Sequence, residues 1–287
     1  MTTHPGTPTL PQPRSLARLR AHYEIERELA AQLRDSTRAQ RLDQGLYATV
    51  YDELFRRVPD HPQLTDQASP QERARLVDDQ MQLLGPLLRA SSTLMEIGPG
   101  DCALSLRACS LVRLVVAVDV SAEISRRSDL PANFMLVLSD GVSVPRIDGG
   151  ADVVYSHQLM EHLHPADAVD QLRNIFDAMA PGGVYVCVTP SRYSGPHDIS
   201  KFFSQEAQGF HLKEYSATEL FRLFRQAGFE RTEVHALIRG RYRRVPAWAV
   251  RAVEAVLAHS PARWRRRLGG WVPARWFSTL CVLGHKA

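Results

Sequence analysis

The sequence predicts an α/β domain in which a mostly parallel sheet carries helices on both faces. Three observations predict it. Short apolar runs recur at Leu94 to Ile97, Leu114 to Val118, Phe134 to Leu138, Val153 to Tyr155 and Val184 to Val188. Stretches with helical spacing separate several of them, the alternation expected of parallel strands joined by crossover helices. Directly after the first run comes Gly98-Pro99-Gly100, where missing Cβ atoms let the backbone approach a ligand.

Taken in chain order, residues 1–14 carry Pro5, Pro8, Pro11 and Pro13 among threonines and are expected to form a disordered tail. Residues 15–90 are expected to be a helical cover. Ile25, Leu29 and Leu33 recur at four-residue steps, then Leu46, Val50 and Leu54, with Tyr47 and Tyr51 on that second face. Ser69-Pro70 opens a further helix whose predicted stripe is Leu76, Gln80, Leu84 and Leu87. Within the sheet region the clearest helix runs from Ala166 to Ala180, closed by Pro181-Gly182-Gly183. Another, Ser216 to Ala227, opens with the capping-box spacing Ser-Ala-Thr-Glu and ends at Gly228.

Composition narrows the function classes. The chain has 287 residues, 44% hydrophobic and 23% charged, which suits one main core with appendages and excludes wholesale disorder. A net charge of +4 and a pI near 9.0 are too mild for a duplex nucleic-acid clamp, so nucleic acid is not the expected partner. The basic excess is local: between Arg239 and Arg275 the only acid is Glu254. Cys102, Cys109, Cys187 and Cys281 show no paired spacing, which fits a reducing cytoplasm without a zinc site or disulfide framework. No membrane span or secretory signal is indicated, and prolines interrupt the N-terminal arginines that would mimic a transit peptide. The expected location is cytoplasmic.

The strand ends carry the candidate ligand-binding residues. Val118-Asp119-Val120 places a carboxylate about twenty residues beyond the glycine turn, where it can accept ribose hydroxyls. Ser139-Asp140-Gly141 follows the next strand and suits an adenine amino group, while the alternative for each acid is a helix N-cap. Together with Glu96 before the turn, three acidic strand ends in register argue for an adenosine-containing cofactor.

From about Ser91 to the C-terminus the chain resembles the class I S-adenosylmethionine-dependent methyltransferases, in particular the broad domain labelled methyltransferase type 11, 12 or 23. The matching residues are Glu96-x-Gly98-x-Gly100, Asp119, Asp140, Ala151 to Ser156, Met160-Glu161-His162-Leu163, Ala180-Pro181-Gly182-Gly183, His211 to Ser216 and Ala227-Gly228-Phe229. Cys102 replaces the third glycine of the turn, which suggests tight helix packing and argues against a dinucleotide. The resemblance implies a Rossmann-like, seven-stranded sheet, with the core over residues 91–238, a last strand over 279–287 and S-adenosyl-L-methionine as cofactor, leaving S-adenosyl-L-homocysteine. The cofactor-binding set it implies is Glu96, Gly98, Pro99, Gly100, Asp119, Val120, Asp140, Gly141, Ser156 and His157, with Tyr47 and Tyr51 closing over the cofactor. Tyr51 to Pro62 and Gly195 to Ser200 look like bacterial biosynthetic methyltransferases that accompany glycosyltransferases.

Fourth-strand residues end beside the methyl donor in the resembled fold, which makes His157 the first choice of general base; His162 and His211 complete the catalytic set, and Tyr193, His197 and Trp248 the substrate set. Tyr155-Ser156-His157-Gln158 lacks the Asp/Asn-Pro-Pro-aromatic motif of base-amino methyltransferases, so the expected acceptor is a hydroxyl of a small molecule, sugar or glycolipid. His157, Glu161, His162, His197 and His211 could converge on a divalent metal, but Gln158 stands where metal-using relatives carry a glutamate, and no metal is expected. Residues 239–278 form a basic amphipathic insert in which Trp248, Trp264, Trp271 and Trp276 alternate with arginines. It reads as a helical substrate lid, a peripheral membrane contact or a polyanion-binding face. The rival functions are RNA methylation and a non-catalytic cofactor-binding partner protein.

Overall fold

The computed structural model describes residues 14–61, 70–120, 130–238, 240–260 and 278–287. The expectations for the tail up to Pro13, for Ser69, and for Trp264, Trp271 and Trp276 lie outside these residues. The N-terminal layer comprises α1 (Leu16–Arg34), α2 (Arg38–Leu42) and α3 (Leu46–Arg57). Ser15 caps α1 by accepting from Arg18 N, and Thr37 and Gln40 form a capping box on α2. Leu29, Ala30 and Leu33 of α1 share one core with Val50 and Leu54 of α3. Arg14, assigned to the tail, instead reaches His22 Nδ1 at 2.9 Å and Asp60 at 3.3 Å. In α4 (Pro70–Leu84) the apolar face is offset by one residue from the predicted stripe. Val77 and Leu84 are buried while Leu76 is 60% exposed, because the helix turns Val77 toward the sheet side shared with Leu94 and Val153.

The remaining elements are β1 (Thr93–Ile97), α5 (Ala103–Ala108), β2 (Leu114–Asp119), β3 (Phe134–Leu138), β4 (Ala151–His157), α6 (Pro165–Ala178), β5 (Met179–Pro190), α7 (Ala217–Ala227), β6 (Arg231–Ile238), β7 (Arg241–Val245), α8 (Ala247–His259) and β8 (Thr279–His285). They build one sheet in the order β3-β2-β1-β4-β5-β8-β6-β7. The first five strands are parallel; β8 is antiparallel to β5 and β6, and β7 to β6. One core joins the α1, α3, α6 and α7 side of the sheet, and a second joins the α4 and α5 side.

Among the described residues the sheet has eight strands where seven were expected. The extra one, β7, opens the insert that was read as wholly helical. It pairs Ile238 with Arg241 across a short connection containing Gly240 at φ +75°. Its side chains alternate imperfectly, Tyr242 and Val245 half-buried and three arginines outward, the charged habit of an edge strand. The α6 helix ends two residues earlier than predicted, since Met179 already pairs with Ala151. Pro181-Gly182-Gly183 therefore lies inside β5, where the register shifts against β4 between Ala151 and Val153. Gly150 permits this approach: a methyl there would sit 2.5 Å from Ala180 N. Among the described residues no helix is long and apolar enough to cross a membrane.

Buried ionic contacts fasten the N-terminal layer to the core. Arg41 donates to both Asp167 oxygens at 2.6 and 2.9 Å, and Tyr47 Oη donates to Asp167 at 2.8 Å. On α1, Glu26 accepts from His22 at 2.7 Å and from Phe210 N at 3.3 Å, with His61 Nε2 3.6 Å away. Burial alone would raise the Glu26 pKa, but His22, His61 and Phe210 together hold it at about 2, against an ordinary 4.5. A carboxylate depressed in this way stabilises the fold above its unfolded-state pKa, and the contribution fades as pH falls from about 4.5 toward about 2. Its ceiling is on the order of 3 kcal/mol. Denaturant unfolding of wild type and Glu26→Gln should show a stability gap at pH 7 that narrows below pH ~4.5. A gap that stays constant down to pH ~3 would contradict this assignment.

Candidate functional site

Parallel pairing brings four strand ends to one edge: Ile97 is in register with Val118 and Ser156, and Asp119 with Leu138. At that edge Gly98 adopts φ +69° and donates to Val118 O, and a methyl on it would lie 3.2 Å from Leu159. At Gly100, φ +57°, a methyl would meet nothing within 4 Å. Cys102 keeps the glycine-like conformation of the residue it replaces, at φ 57°, and forms the N-cap of α5. This strain costs roughly 1–2 kcal/mol. Glu96 sits beneath the turn, accepts from Ser105 Oγ at 2.5 Å, and is pushed up to about 7 by burial.

Around the next strand ends, Val120 and Tyr47 converge on Gly141: a methyl there would lie 3.3 Å from Val120 Cγ1 and 3.5 Å from Tyr47 Cδ2. Gln171 Nε2 fixes this turn by donating to Gly141 O at 2.6 Å. Asp119 ends β2 half-buried, close enough for its charge to act on Tyr51 and Glu96. Asp140 closes a turn on the residues that follow it, and no helix starts there for it to cap. It accepts from Val142 N at 2.8 Å, Ser143 N at 2.6 Å and Ser143 Oγ at 2.8 Å, and these bonds lower its pKa against the effect of burial.

The two tyrosines of α3 do different things. Tyr47 borders Gly141, and its hydroxyl is engaged by Asp167 and His164 N. Tyr51 stacks on Phe210 at 4.8 Å and places its hydroxyl 2.8 Å from His162 Nδ1. Burial drives both phenol pKa values up.

Strand alternation separates the residues at the end of β4. Ser156 faces the core, fully buried, with its hydroxyl 2.7 Å from Tyr185 Oη. Its side chain is therefore not the cofactor contact expected of it. His157 faces the other way, exposed, its ring 6.3 Å from that of Tyr155. Surrounding protein nevertheless lowers its pKa by desolvation. Gln158 follows in the left-handed region at φ 57°, a strained backbone that aims the chain into the turn Met160–His162.

Glu161 and His162 of this turn, together with His211, bring one ligand atom each within 4.8 Å of one another. Glu161 Oε2 accepts from Thr189 at 2.9 Å, whereas its buried Oε1 has no partner. Burial pushes Glu161 up to about 7 and His162 down to about 3. For His211, burial lowers the pKa, but Glu214 at 2.8 Å with the Glu161 and Asp198 charges carries it above the ordinary value. Both Nδ1 atoms face acceptors, Phe210 O at 3.1 Å for His162 and Glu214 for His211, the arrangement of outer contacts that metal-binding imidazoles use. These three residues can hold a divalent cation. The second group, His22, Glu26 and His61, is less suited, because the Arg14 guanidinium occupies His22 Nδ1 and directs the proton to Nε2, toward Glu26.

Of the five residues considered as metal ligands, in a chain from which no metal was expected, His157 and His197 stay out of this group. His197 is adjacent all the same: its N–H donates to the Glu214 Oε1 that engages His211, and Tyr193 lies in the same loop. Trp248 is not brought to the site. It is 73% exposed on α8, after the edge strand β7, which lies four strands from β4. Sequence reasoning named Glu161 as a possible ligand but missed the roles of Asp167 and Glu214, whose only sequence signals were isolated acids beside histidines. Gln158→Val should lower stability by ~1–2 kcal/mol, because a β-branched residue tolerates φ > 0 poorly, while Gln158→Gly should not. Denaturation midpoints read the difference, and equal losses for both variants would remove the strain.

Residues 70–234 match the model of the methyltransferase domain family. A probable S-adenosylmethionine-dependent methyltransferase of Mycolicibacterium smegmatis is 34% identical over 87 residues, 30% of this chain and 32% of the relative. The chain thus matches about a third of that protein's length. Among solved structures, phosphoethanolamine N-methyltransferase 1 of Haemonchus contortus, in complex with phosphoethanolamine and S-adenosylhomocysteine, aligns with a TM-score of 0.55 at 14% identity. That alignment covers 88% of this chain and 50% of the other. An S-adenosylmethionine-dependent methyltransferase of Thermotoga maritima, described as a possible histamine N-methyltransferase, aligns with a TM-score of 0.51 at 14% identity over 85% and 97% of the two chains. At such identities the likeness is one of fold. With the glycine turn and strand-end residues on one edge of this sheet, the chain belongs to the methyltransferase domain family and has the class I fold whose cofactor is S-adenosylmethionine.

Proposed function

We propose that this protein transfers the methyl group of S-adenosylmethionine to a hydroxyl of a small molecule, sugar or glycolipid, with His157 as general base. The observation that carries the reading is a solvent-reachable imidazole, kept neutral by a lowered pKa, at the end of β4 beside strained Gln158. A hydroxyl loses its proton as it attacks a sulfonium methyl, so it needs such a base, worth roughly 3–5 kcal/mol. Alignment of donor and acceptor supplies more, roughly 7–11 kcal/mol.

The other two predicted catalytic histidines fit other tasks. His162, held at about 3, is too weak a base near neutral pH, and His211 is held toward its protonated form by Glu214. A second reading rests on the unpartnered Glu161 oxygen: a divalent cation on Glu161, His162 and His211 would satisfy it and could orient the acceptor oxygen. Chelation separates the two, since a hydroxyl transfer run by His157 alone survives it.

The test is transfer of labelled methyl from S-adenosylmethionine to a panel of saccharides and small alcohols, with amines as controls. Ether products are expected, at a rate that holds through the ordinary imidazole value of about 6.5 and falls only at lower pH, because the His157 pKa is lowered. His157→Ala should slow turnover by ~10²- to 10⁴-fold with cofactor affinity unchanged. Methylated amines in place of ethers, or an unchanged rate in the variant, would overturn the proposal.

A further inference from the structure

The outer face formed by β7 and α8 takes no part in the reaction proposed above. α8 buries Val250, Glu254 and Leu257 and turns Trp248, Ala252, Ala255 and Val256 outward. Spaced at i, i+4, i+7 and i+8, these four make one apolar stripe, with Trp248 73% and Val256 62% exposed. The only acid of the region, Glu254, is turned inward, where it accepts from Ala217 N at 2.5 Å and from Thr218 Oγ1 at 2.6 Å at the start of α7. What residues 240–260 present to solvent is therefore apolar or basic, with Arg241, Arg243, Arg244 and Arg251 all exposed.

Beside the stripe, a cavity of about 300 Å³ opens between α7, α8 and the start of β6. Arg222, Arg225 and Arg251 line it, with the Thr232 side chain, and the Arg251 guanidinium lies 5.9 Å from the Phe221 ring centroid. Glu230 also borders the cavity, yet among the described residues no carboxylate comes within 4.0 Å of any of the three guanidinium groups. Three exposed arginines lining one cavity, none paired with a carboxylate, offer forked donors that suit a phosphate group.

We propose that this face docks on an anionic lipid bilayer, with Trp248 and Val256 entering the headgroup boundary and a lipid phosphate occupying the arginine-lined cavity. Charge complementarity and the stripe together select this occupant. A nucleic acid would satisfy the arginines and leave the apolar stripe in water, whereas a bilayer interface takes both. Residues 261–277 add five arginines and no acid to the sequence that follows α8. Four strand spacings separate β7 from β4, about 19 Å at ~4.8 Å each, so docking leaves the cofactor edge open.

The full chain would be sedimented with vesicles of phosphatidylcholine alone and of phosphatidylcholine mixed with phosphatidylglycerol, and titrated with a single-stranded RNA oligonucleotide. Wild type should bind the mixed vesicles and ignore the neutral ones. The triple variant Arg222→Gln, Arg225→Gln, Arg251→Gln should bind about 100-fold more weakly, roughly fivefold per arginine. The double variant Trp248→Ser, Val256→Ser should lose about tenfold or more. Among the described residues these side chains, apart from Arg251 over Phe221, show no ring or ionic contact, and circular dichroism and melting temperature check that each variant folds. Equal binding to both vesicle types, undiminished binding by either variant, or binding to RNA without binding to vesicles would overturn the proposal. No readout depends on methyl transfer, so its outcome is separate from that of the reaction proposed above.

Discussion

The site depends on how the backbone of residues 208–211 is satisfied. This segment lies outside the sheet ladder, yet much of it is buried, and buried backbone groups must find partners. Arg34 donates to the carbonyls of Gln208 and Gly209 at 2.9 Å, and Glu26 accepts from Phe210 N. Ser200 and Asp198 accept from Gln208 N and Gly209 N. The same segment carries Phe210, whose carbonyl meets His162, and His211, which faces Glu161. The N-terminal helices are thus part of the wall that fixes the site.

Strain and burial concentrate at the same edge. Cys102 and Gln158 are the non-glycine residues with positive φ among those described, one opening the helix after β1 and the other following β4. Glu96 and Glu161, both enclosed, have carboxyl pKa values near 7. Such groups cost stability and persist where surrounding packing over-determines them, as it does between the two cores here.

Much of the fold was legible in the sequence because parallel strands buried on both faces read as short apolar runs, and Leu94 to Ile97 or Val184 to Val188 could hardly be anything else. The capping box at Ser216 and the glycine stop at Gly228 were legible for the same reason, that their chemistry is local. β7 was hidden because an edge strand protected by arginines has the composition of a basic insert. The α4 face was misjudged by one residue because Leu76 and Val77 are equally apolar, and only packing decides between them. At the site, the glycines and Asp119 followed from strand-end spacing. Glu161 was legible only as a possible ligand, and the roles of Asp167 and Glu214 were not, since they arise from partners 126 and three residues away that no local pattern announces.

The central claim is that the edge formed by β1, β2, β3 and β4 holds S-adenosylmethionine, and calorimetric titration of the purified chain tests it most directly. The account predicts saturable binding of both S-adenosylmethionine and S-adenosylhomocysteine, weakened about 10- to 100-fold in Asp119→Asn through loss of hydrogen bonds to a charged acceptor. Absence of binding by either compound to the folded wild-type chain, or undiminished affinity in the variant, would contradict it.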